Sequence, residues 1–243
     1  RSPICIHYLI LLLRSSDSIW NYLASFAERV LPDKKEETLE GMHLEFIRPV
    51  DTKRENHIGT SAIVLTGVRK EVGRMLQMTK ENVSLSFDAV LESSSELLKK
   101  VDEKEEYIDF LNKEICKYIS KVIVNETNRK DAKYMSALFK VCGNLERIGD
   151  HATNLCEYTQ MMGEKGISFS QTEMDEIRQM KEASLSALNI LSDIEKGDKE
   201  LVKRIEKAEQ QIDDMTEMFR QGQIDRMQQA GRTRRLVFST PKC

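Results

Sequence analysis

The stretch Leu145–Asn154, LERIGDHATN, decides how this chain folds, because it places Glu146 and Asp150 four residues apart within a run of helical apolar spacing. At that spacing two side chains lie about 5 to 6 Å apart at Cβ on one face of a helix, so two carboxylates repel each other unless a cation neutralises them. We therefore expect either a divalent metal ion or a neighbouring Lys or Arg beside this pair.

The helix that carries this stretch has a narrow apolar stripe, which is typical of packing in a helical bundle. The stripe consists of Leu138, Val141, Leu145, Ile148, Ala152 and Leu155. Glu146 and Asp150 fall off it, so we expect them on the outer side, where water or an ion can reach them. Gly149 costs about 1 kcal/mol of helix propensity relative to Ala, which indicates close packing or the approach of another group.

The rest of the chain also favours helices. It has 243 residues, of which 40 % are apolar, enough for one large or two small domains. Proline is absent between Pro49 and Pro241, which predicts almost uninterrupted helix. Helical spacing begins near Ile58, and the polar run Asn125–Lys130 is a predicted turn.

Two further signals mark helix ends in the second half of the sequence. Gly163 and Gly166 are predicted to close the helix that contains LERIGDHATN. The spacing Ser170-x-x-Glu173 predicts a capping box that opens the next helix.

An internal repeat links the two halves of the chain. At an offset of 104 residues, Leu97–Ile115 aligns with Leu201–Phe219, and each copy contains an E-x-x-x-D pair. The pairs are Glu105 with Asp109 and Glu209 with Asp213. Duplication of a three-helix unit explains the repeat. The same offset places the counterpart of Glu146 beyond the last residue, so we expect the second unit to lack its third helix.

These signals predict four regions. Residues 1–55 form a linker segment, whose apolar stretch of about eleven residues is shorter than the roughly 20 needed to span a bilayer. Residues 56–166 form the first three-helix unit and residues 167–231 a partial second unit. Residues 232–243, which are basic and lack helical periodicity, are predicted to be an irregular tail.

Several classes of function are disfavoured by composition and motifs. The net charge of -3 gives no electrostatic footprint for nucleic acid, so no nucleic-acid partner is expected. The five cysteines form no C-x-x-C motif, and neither a phosphate-binding glycine loop nor a nucleophile elbow is present, so we expect no catalysis. From the residues alone, the acidic pairs fit either a metal site or a solvated charged face.

LERIGDHATN closely resembles the signature of PhoU-domain proteins, and the similarity extends over about residues 58–227. The resemblance implies an all-α fold of duplicated antiparallel three-helix bundles, with the second bundle incomplete, and a regulatory role in phosphate uptake and homeostasis. It also implies that magnesium, manganese or iron ions bind the acidic motifs. The implied ligands are Glu105, Asp109, Glu146, Asp150, Glu209 and Asp213.

The segment before the bundle, which contains FAERVLPDKKEE, resembles the C-terminal cytosolic region of bacterial sodium/phosphate cotransporter family proteins. That resemblance implies a domain at the cytoplasmic face of the plasma membrane, with the transporter membrane domain as its partner. Two alternatives stay open: a free-standing PhoU-type adaptor between an ABC phosphate importer and a sensor kinase, and a structural helical module without metal. The open apolar face of an incomplete bundle predicts a homodimer.

Overall fold

The computed structural model describes residues 41–47, 60–124, 126–166, 168–192 and 199–239. Within these ranges every regular element is a helix, which confirms the predicted all-α fold class. The five helices are α1 (Thr60–Glu92), α2 (Ser95–Ile123), α3 (Arg129–Glu164), α4 (Gln171–Ser192) and α5 (Lys199–Ser239). None of them is both long enough and apolar enough to cross a membrane, and this finding applies only to the described ranges.

Polar side chains cap α2 and α3 where the sequence turns. The Ser94 hydroxyl accepts a hydrogen bond from the backbone N–H of Leu97 at 3.4 Å, and the Asn128 side chain accepts one from the N–H of Lys130 at 3.0 Å. Each cap satisfies an amide that the first helical turn leaves without a partner. The second cap falls inside the predicted turn: residues 126–128 are not helical, whereas Arg129 and Lys130 already belong to α3.

The connection between α3 and α4 also follows the sequence. Gly166 adopts a φ of +62°, which glycine reaches without the strain of a Cβ, and its N–H donates to the carbonyl of Gly163 at 3.0 Å. Glu173 accepts a hydrogen bond from the backbone N–H of Ser170 at 2.8 Å, and the Ser170 hydroxyl accepts one from the N–H of Glu173 at 3.4 Å. The predicted capping box is therefore present.

The chain divides into two compact units between Ser168 and Phe169. In the first unit α1, α2 and α3 pack against one another as a three-helix bundle; in the second unit α4 packs against α5. A complete bundle followed by two helices is the arrangement that the sequence predicts.

The end of α5 differs from the prediction of an irregular tail over residues 232–243. The helix continues to Ser239, so that of residues 232–243 only the last four lie outside the described part of the chain. Apolar periodicity is missing there, but arginine is a good helix former and no proline occurs before Pro241, so nothing local ends the helix. The features predicted for residues 1–40 lie outside the described residues.

The buried stripe of α3 is rotated relative to the predicted one. Val141 is 39 % exposed, whereas Cys142 and Gly149 are buried. Small residues occupy the closest approach between helices, and a stripe chosen for large apolar side chains does not include them. The rotation brings Glu146 and Asp150 beside α2, where Glu146 is half-buried, whereas Asp150 stays exposed as the sequence predicts.

Residues 41–47, which the sequence assigns to the linker, pack on the first bundle. The carboxylate of Glu71 on α1 is fully buried and accepts the backbone N–H groups of Glu45 and Phe46 at 3.0 and 2.8 Å. Arg74 donates its Nε–H to the other oxygen of the same carboxylate at 2.6 Å. A buried carboxylate is tolerated only when it is paired in this way, so this segment is part of the bundle.

The same segment is held at three further places. Arg74 donates from Nη2 to the carbonyl of His43 at 2.7 Å and from Nη1 to the Tyr107 hydroxyl of α2 at 3.2 Å. The carbonyl of Phe46 lies where a Cβ at position 67 would stand, so Gly67 permits the close approach. Ile47 is buried in the apolar core.

Candidate metal centre

Four of the six predicted ligands come together where α2 packs against α3. Glu105 and Asp109 lie one turn apart on α2, and Glu146 and Asp150 lie one turn apart on α3. We call these four side chains the acidic cluster. Each helix presents an i, i+4 pair, and the packing of the two helices places the pairs side by side.

Within the acidic cluster, the pKa of Glu105 is raised the most. Burial raises its pKa to about 8, and the negative charges of Asp150, Glu146 and Asp109 contribute to the same rise. Its protonated form donates a hydrogen bond to Asp150. Its buried Oε2 has no hydrogen-bond donor among the described residues. Such a group retains its proton near neutral pH unless a cation replaces it.

The pKa values of the two carboxyl groups on α3 are also raised. Burial raises the pKa of Glu146 to about 7, with further contributions from Asp150 and Asp109, while Arg147 and Lys113 oppose the rise. The pKa of Asp150 is also raised, first by burial and then by Asp109. The positive charges of Arg147 and Lys113 therefore reduce the rise in these pKa values but do not cancel it.

Asp109 lies at the exposed rim of the acidic cluster. Its side chain is 43 % exposed and forms an ion pair with Lys113, one turn along α2, at 2.9 Å. Lys113 is thus the neighbouring cation that the sequence offers as the alternative to a metal. Exposed pairs of this kind contribute about 0.2–1 kcal/mol or less, so a divalent ion can displace the lysine.

Gly149 explains how a carboxylate enters the helix interface. A Cβ at this position would overlap Oε2 of Glu105 and would lie 3.1 Å from its Cδ. The predicted approach of another group to this glycine is confirmed, and that group is a member of the acidic cluster. Any larger residue at position 149 would move Glu105.

The donor set fits a hard cation. Carboxylate oxygens are the ligands preferred by magnesium and manganese, and they also bind ferrous iron. The unpartnered Oε2 of Glu105 is a vacant electron-pair donor inside the acidic cluster. In the ranges that the structure describes, however, no three carboxylate, thiol or imidazole groups are already arranged to hold an ion. Binding would therefore require side-chain rotation, most easily at the exposed Asp109.

Glu209 and Asp213 lie on α5 in the second unit, and both are half-buried. Within that unit the described part of α4 has no E-x-x-x-D pair to face them. The structure therefore brings together the four acids of the first unit and gives the other two no equivalent partner helix. Their assignment as ligands stays a prediction.

Two thiols beside the acidic cluster were not predicted from the sequence. Cys142 precedes Glu146 by one turn on α3 and donates a hydrogen bond to Cys116 of α2, which lowers the pKa of Cys116. The same contact and burial raise the pKa of Cys142. The one-turn spacing from Cys142 to Glu146 was the signal available in the sequence.

Comparisons with known proteins point to one family. The PhoU domain family matches residues 72–159, a range that contains the whole acidic cluster. A Thermotoga maritima protein named phosphate-specific transport system accessory protein PhoU homolog 1 is 26 % identical over 170 residues, which cover 68 % of this chain and 71 % of that protein. A Clostridium acetobutylicum protein named phosphate-specific transport system accessory protein PhoU homolog is 34 % identical over 90 residues, 37 % of this chain and 40 % of that protein. No solved structure matches the chain.

Proposed function

We propose that this chain is a PhoU-type accessory module that regulates phosphate uptake, and that its acidic cluster binds a magnesium, manganese or iron ion. The match to the PhoU domain and the names of the two relatives support the first part. The role is regulatory rather than catalytic, because the acidic cluster offers carboxylates and no activated nucleophile.

The observation that carries the metal proposal is the convergence of four carboxylates from two helices. Burial and mutual repulsion raise the pKa of Glu105 to about 8 and that of Glu146 to about 7. A bound divalent cation reverses the sign of the local potential and holds these groups ionised. The ion would then present positive charge toward an anionic ligand or a partner at the surface of α2 and α3.

The free-standing adaptor is the better supported of the two transport contexts. Both relatives are named as accessory proteins of phosphate-specific transport systems. The sodium/phosphate cotransporter context depended on a segment outside the described residues, so it stays a prediction. The location at the cytoplasmic face of the plasma membrane and the homodimer also stay predictions.

Calorimetric titration with Mn²⁺ tests the metal site. Glu146→Gln and Asp150→Asn should each weaken binding at least tenfold, because each removes an anionic ligand while keeping the side-chain shape. Glu103→Gln on α2 is the matched control, since Glu103 is exposed and pairs with Lys99 at 3.7 Å. Equal affinity in all four proteins would favour the structural module without metal.

Phosphate uptake by cells tests the regulatory role. Cells that carry the double change Glu146→Gln and Asp150→Asn should take up radiolabelled phosphate at a rate that no longer falls when external phosphate is high. Cells with the Glu103→Gln control should respond like the wild type. Normal repression of uptake after complete deletion of the gene would overturn the proposed function.

A further inference from the structure

The apolar core of the first bundle stops at one level on all three helices. The last members of the continuous core toward the acidic cluster are Met75 on α1, Ile108 on α2 and Leu145 on α3. Buried apolar side chains resume further along the bundle, at Val83, Phe87, Val101, Ala152 and Cys156. A separate layer therefore lies between the two apolar regions.

This layer contains buried polar atoms without partners. Asn82 of α1 is 0 % exposed, and neither its amide oxygen nor its amide nitrogen has a hydrogen bond within the described structure. The same is true of Oε2 of Glu105 on α2 and of Oγ1 of Thr153 on α3. Each helix of the bundle thus contributes one such side chain.

The packing of α1 against α2 sets two of these residues at the same level. Lys104 binds Glu81 through Nζ and Oε2 at 2.7 Å across the two helices. Asn82 and Glu105 directly follow these partners in the sequence. Asn82 is fully buried, so its amide faces the bundle interior at about the level of Glu105.

The packing of α2 against α3 adds the third residue. The Glu105 carboxylate lies against Gly149, and Thr153 follows four residues later on α3. Four residues correspond to about 6 Å along a helix axis. Along the bundle axis, the three residues therefore lie within about one helical turn of one another.

Two other buried hydroxyls on α1 are satisfied. Thr79 donates to the carbonyl of Met75 at 3.0 Å, and Ser86 donates to the carbonyl of Val83 at 2.8 Å. Among the described residues, the buried side-chain atoms without a hydrogen-bond partner are those of Asn82, Glu105 and Thr153. In native proteins such groups are usually bridged by buried water, which typically makes about three hydrogen bonds.

We propose that Asn82, Glu105 and Thr153 form an internal hydration site, in which ordered water bridges the amide, the carboxylate Oε2 and the hydroxyl. Asn82 supplies both a donor and an acceptor, Thr153 supplies a hydroxyl, and Oε2 of Glu105 accepts from the water. Water that binds one lone pair of Oε2 fixes the direction in which Glu105 enters the acidic cluster and leaves the other lone pair for an ion. Asn82 and Thr153 are then positioning residues for the metal ligand Glu105, and this second role rests on the proposed function.

The hydration site is tested by thermal unfolding of the metal-free protein in the presence of a chelator. The sign of the change in Tm caused by a substitution at Asn82 decides the outcome. If water bridges the layer, Asn82→Leu lowers Tm by several degrees, because Glu105 and Thr153 lose their bridge. If the layer is dry, the same change raises Tm, because it removes an unsatisfied amide, and the proposal is overturned. Thr79→Val and Ser86→Ala are the matched controls, and both should leave Tm nearly unchanged.

A high-resolution crystal structure of the metal-free wild type gives a second test that does not depend on a variant. We expect ordered water within hydrogen-bond distance of Asn82 and Thr153. Absence of density for water between these side chains would overturn the hydration site.

Mn²⁺ titration tests the positioning role separately. Asn82→Leu and Thr153→Val should weaken Mn²⁺ binding about tenfold or more, as is usual for residues that orient a ligand. Thr153→Ser keeps the hydroxyl and should retain wild-type affinity. Unchanged affinity in Asn82→Leu would overturn the positioning role. A wild type that does not bind Mn²⁺ would overturn the proposed metal function and, with it, the positioning role. The hydration site would still be tested by the Tm values of the metal-free proteins.

Discussion

The carboxylate of Glu105 lies directly against the backbone of Gly149, on the neighbouring helix of the bundle. This contact brings an acidic side chain of α2 into the interface beside Glu146 and Asp150 of α3. It exists because residue 149 has no Cβ, and it connects a helix-weakening glycine to the chemistry of the acidic cluster.

Replacing Gly149 by Ala should weaken metal binding while leaving the stability of the protein nearly unchanged. The new Cβ overlaps Oε2 of Glu105 and displaces it, while alanine adds about 1 kcal/mol of helix propensity. We therefore expect a free energy of unfolding within about 1 kcal/mol of the wild type and at least tenfold weaker Mn²⁺ binding by calorimetry. The matched control is Gly143→Ala on the same helix, where a Cβ meets nothing within 4 Å, so metal binding should be unchanged. Wild-type affinity in Gly149→Ala would contradict the role of this contact.

Replacing Arg74 by Met should destabilise the first bundle by about 3 kcal/mol. The change leaves the Glu71 carboxylate buried without its charged partner and releases the carbonyl of His43. Urea denaturation measures the loss. Lys100→Ala, which removes an exposed ion pair with Glu96, should cost less than about 0.5 kcal/mol. A cost for Arg74→Met as small as that of the control would show that residues 41–47 are not held by this pair.

The stability of the metal-free protein should fall as the pH rises from about 5 to about 8. The pKa of Glu105 is raised to about 8 and that of Glu146 to about 7, against about 4.3 for glutamate in an unfolded chain. The folded state therefore holds protons that the unfolded state releases, so this contribution is complete below about pH 4 and is lost through the folded pKa values. Melting curves in chelator across this range provide the measurement.

The pH dependence has its own control. Glu105→Gln removes the most perturbed carboxyl and should flatten the fall in Tm between pH 5 and pH 8. Addition of Mn²⁺ at pH 8 should raise Tm, because an ion that binds only the native state stabilises it. A Tm that increases with pH over the same range would contradict the raised pKa values.

The second unit should depend on one charge pair between its helices. Arg226 of α5 binds Glu176 of α4 through two hydrogen bonds of 2.8 and 2.9 Å, and the Glu176 side chain is only 18 % exposed. A double-mutant cycle with Arg226→Ala and Glu176→Ala should give a coupling energy of about 1 kcal/mol. The pair of Arg220 and Glu217 within α5 should couple more weakly, since both side chains are exposed. Equal coupling in the two pairs would contradict this ranking.

The sequence by itself determined the helices, the capping box that opens α4, the glycine that follows α3 and the identity of the charged groups, but not the end of α5 at Ser239. Absence of proline, the capping box at Ser170 and the spacing of Glu146 from Asp150 are local properties, and local hydrogen bonding and helical periodicity act on them without help from the rest of the chain. The repeat that relates the two halves is equally visible in the sequence.

Only the tertiary structure decided which face of α3 is buried and which side chains of the neighbouring helices contact it. The packing of α2 against α3 turned Glu146 toward Asp109 and placed Glu105 on Gly149, and residues 41–47 packed onto Glu71 of α1. Helix rotation is set by the contacts of small residues with neighbouring helices, and pKa values are set by burial and by charges distant in sequence. Neither depends on local spacing, so the acidic cluster could be listed from the sequence but not assembled from it.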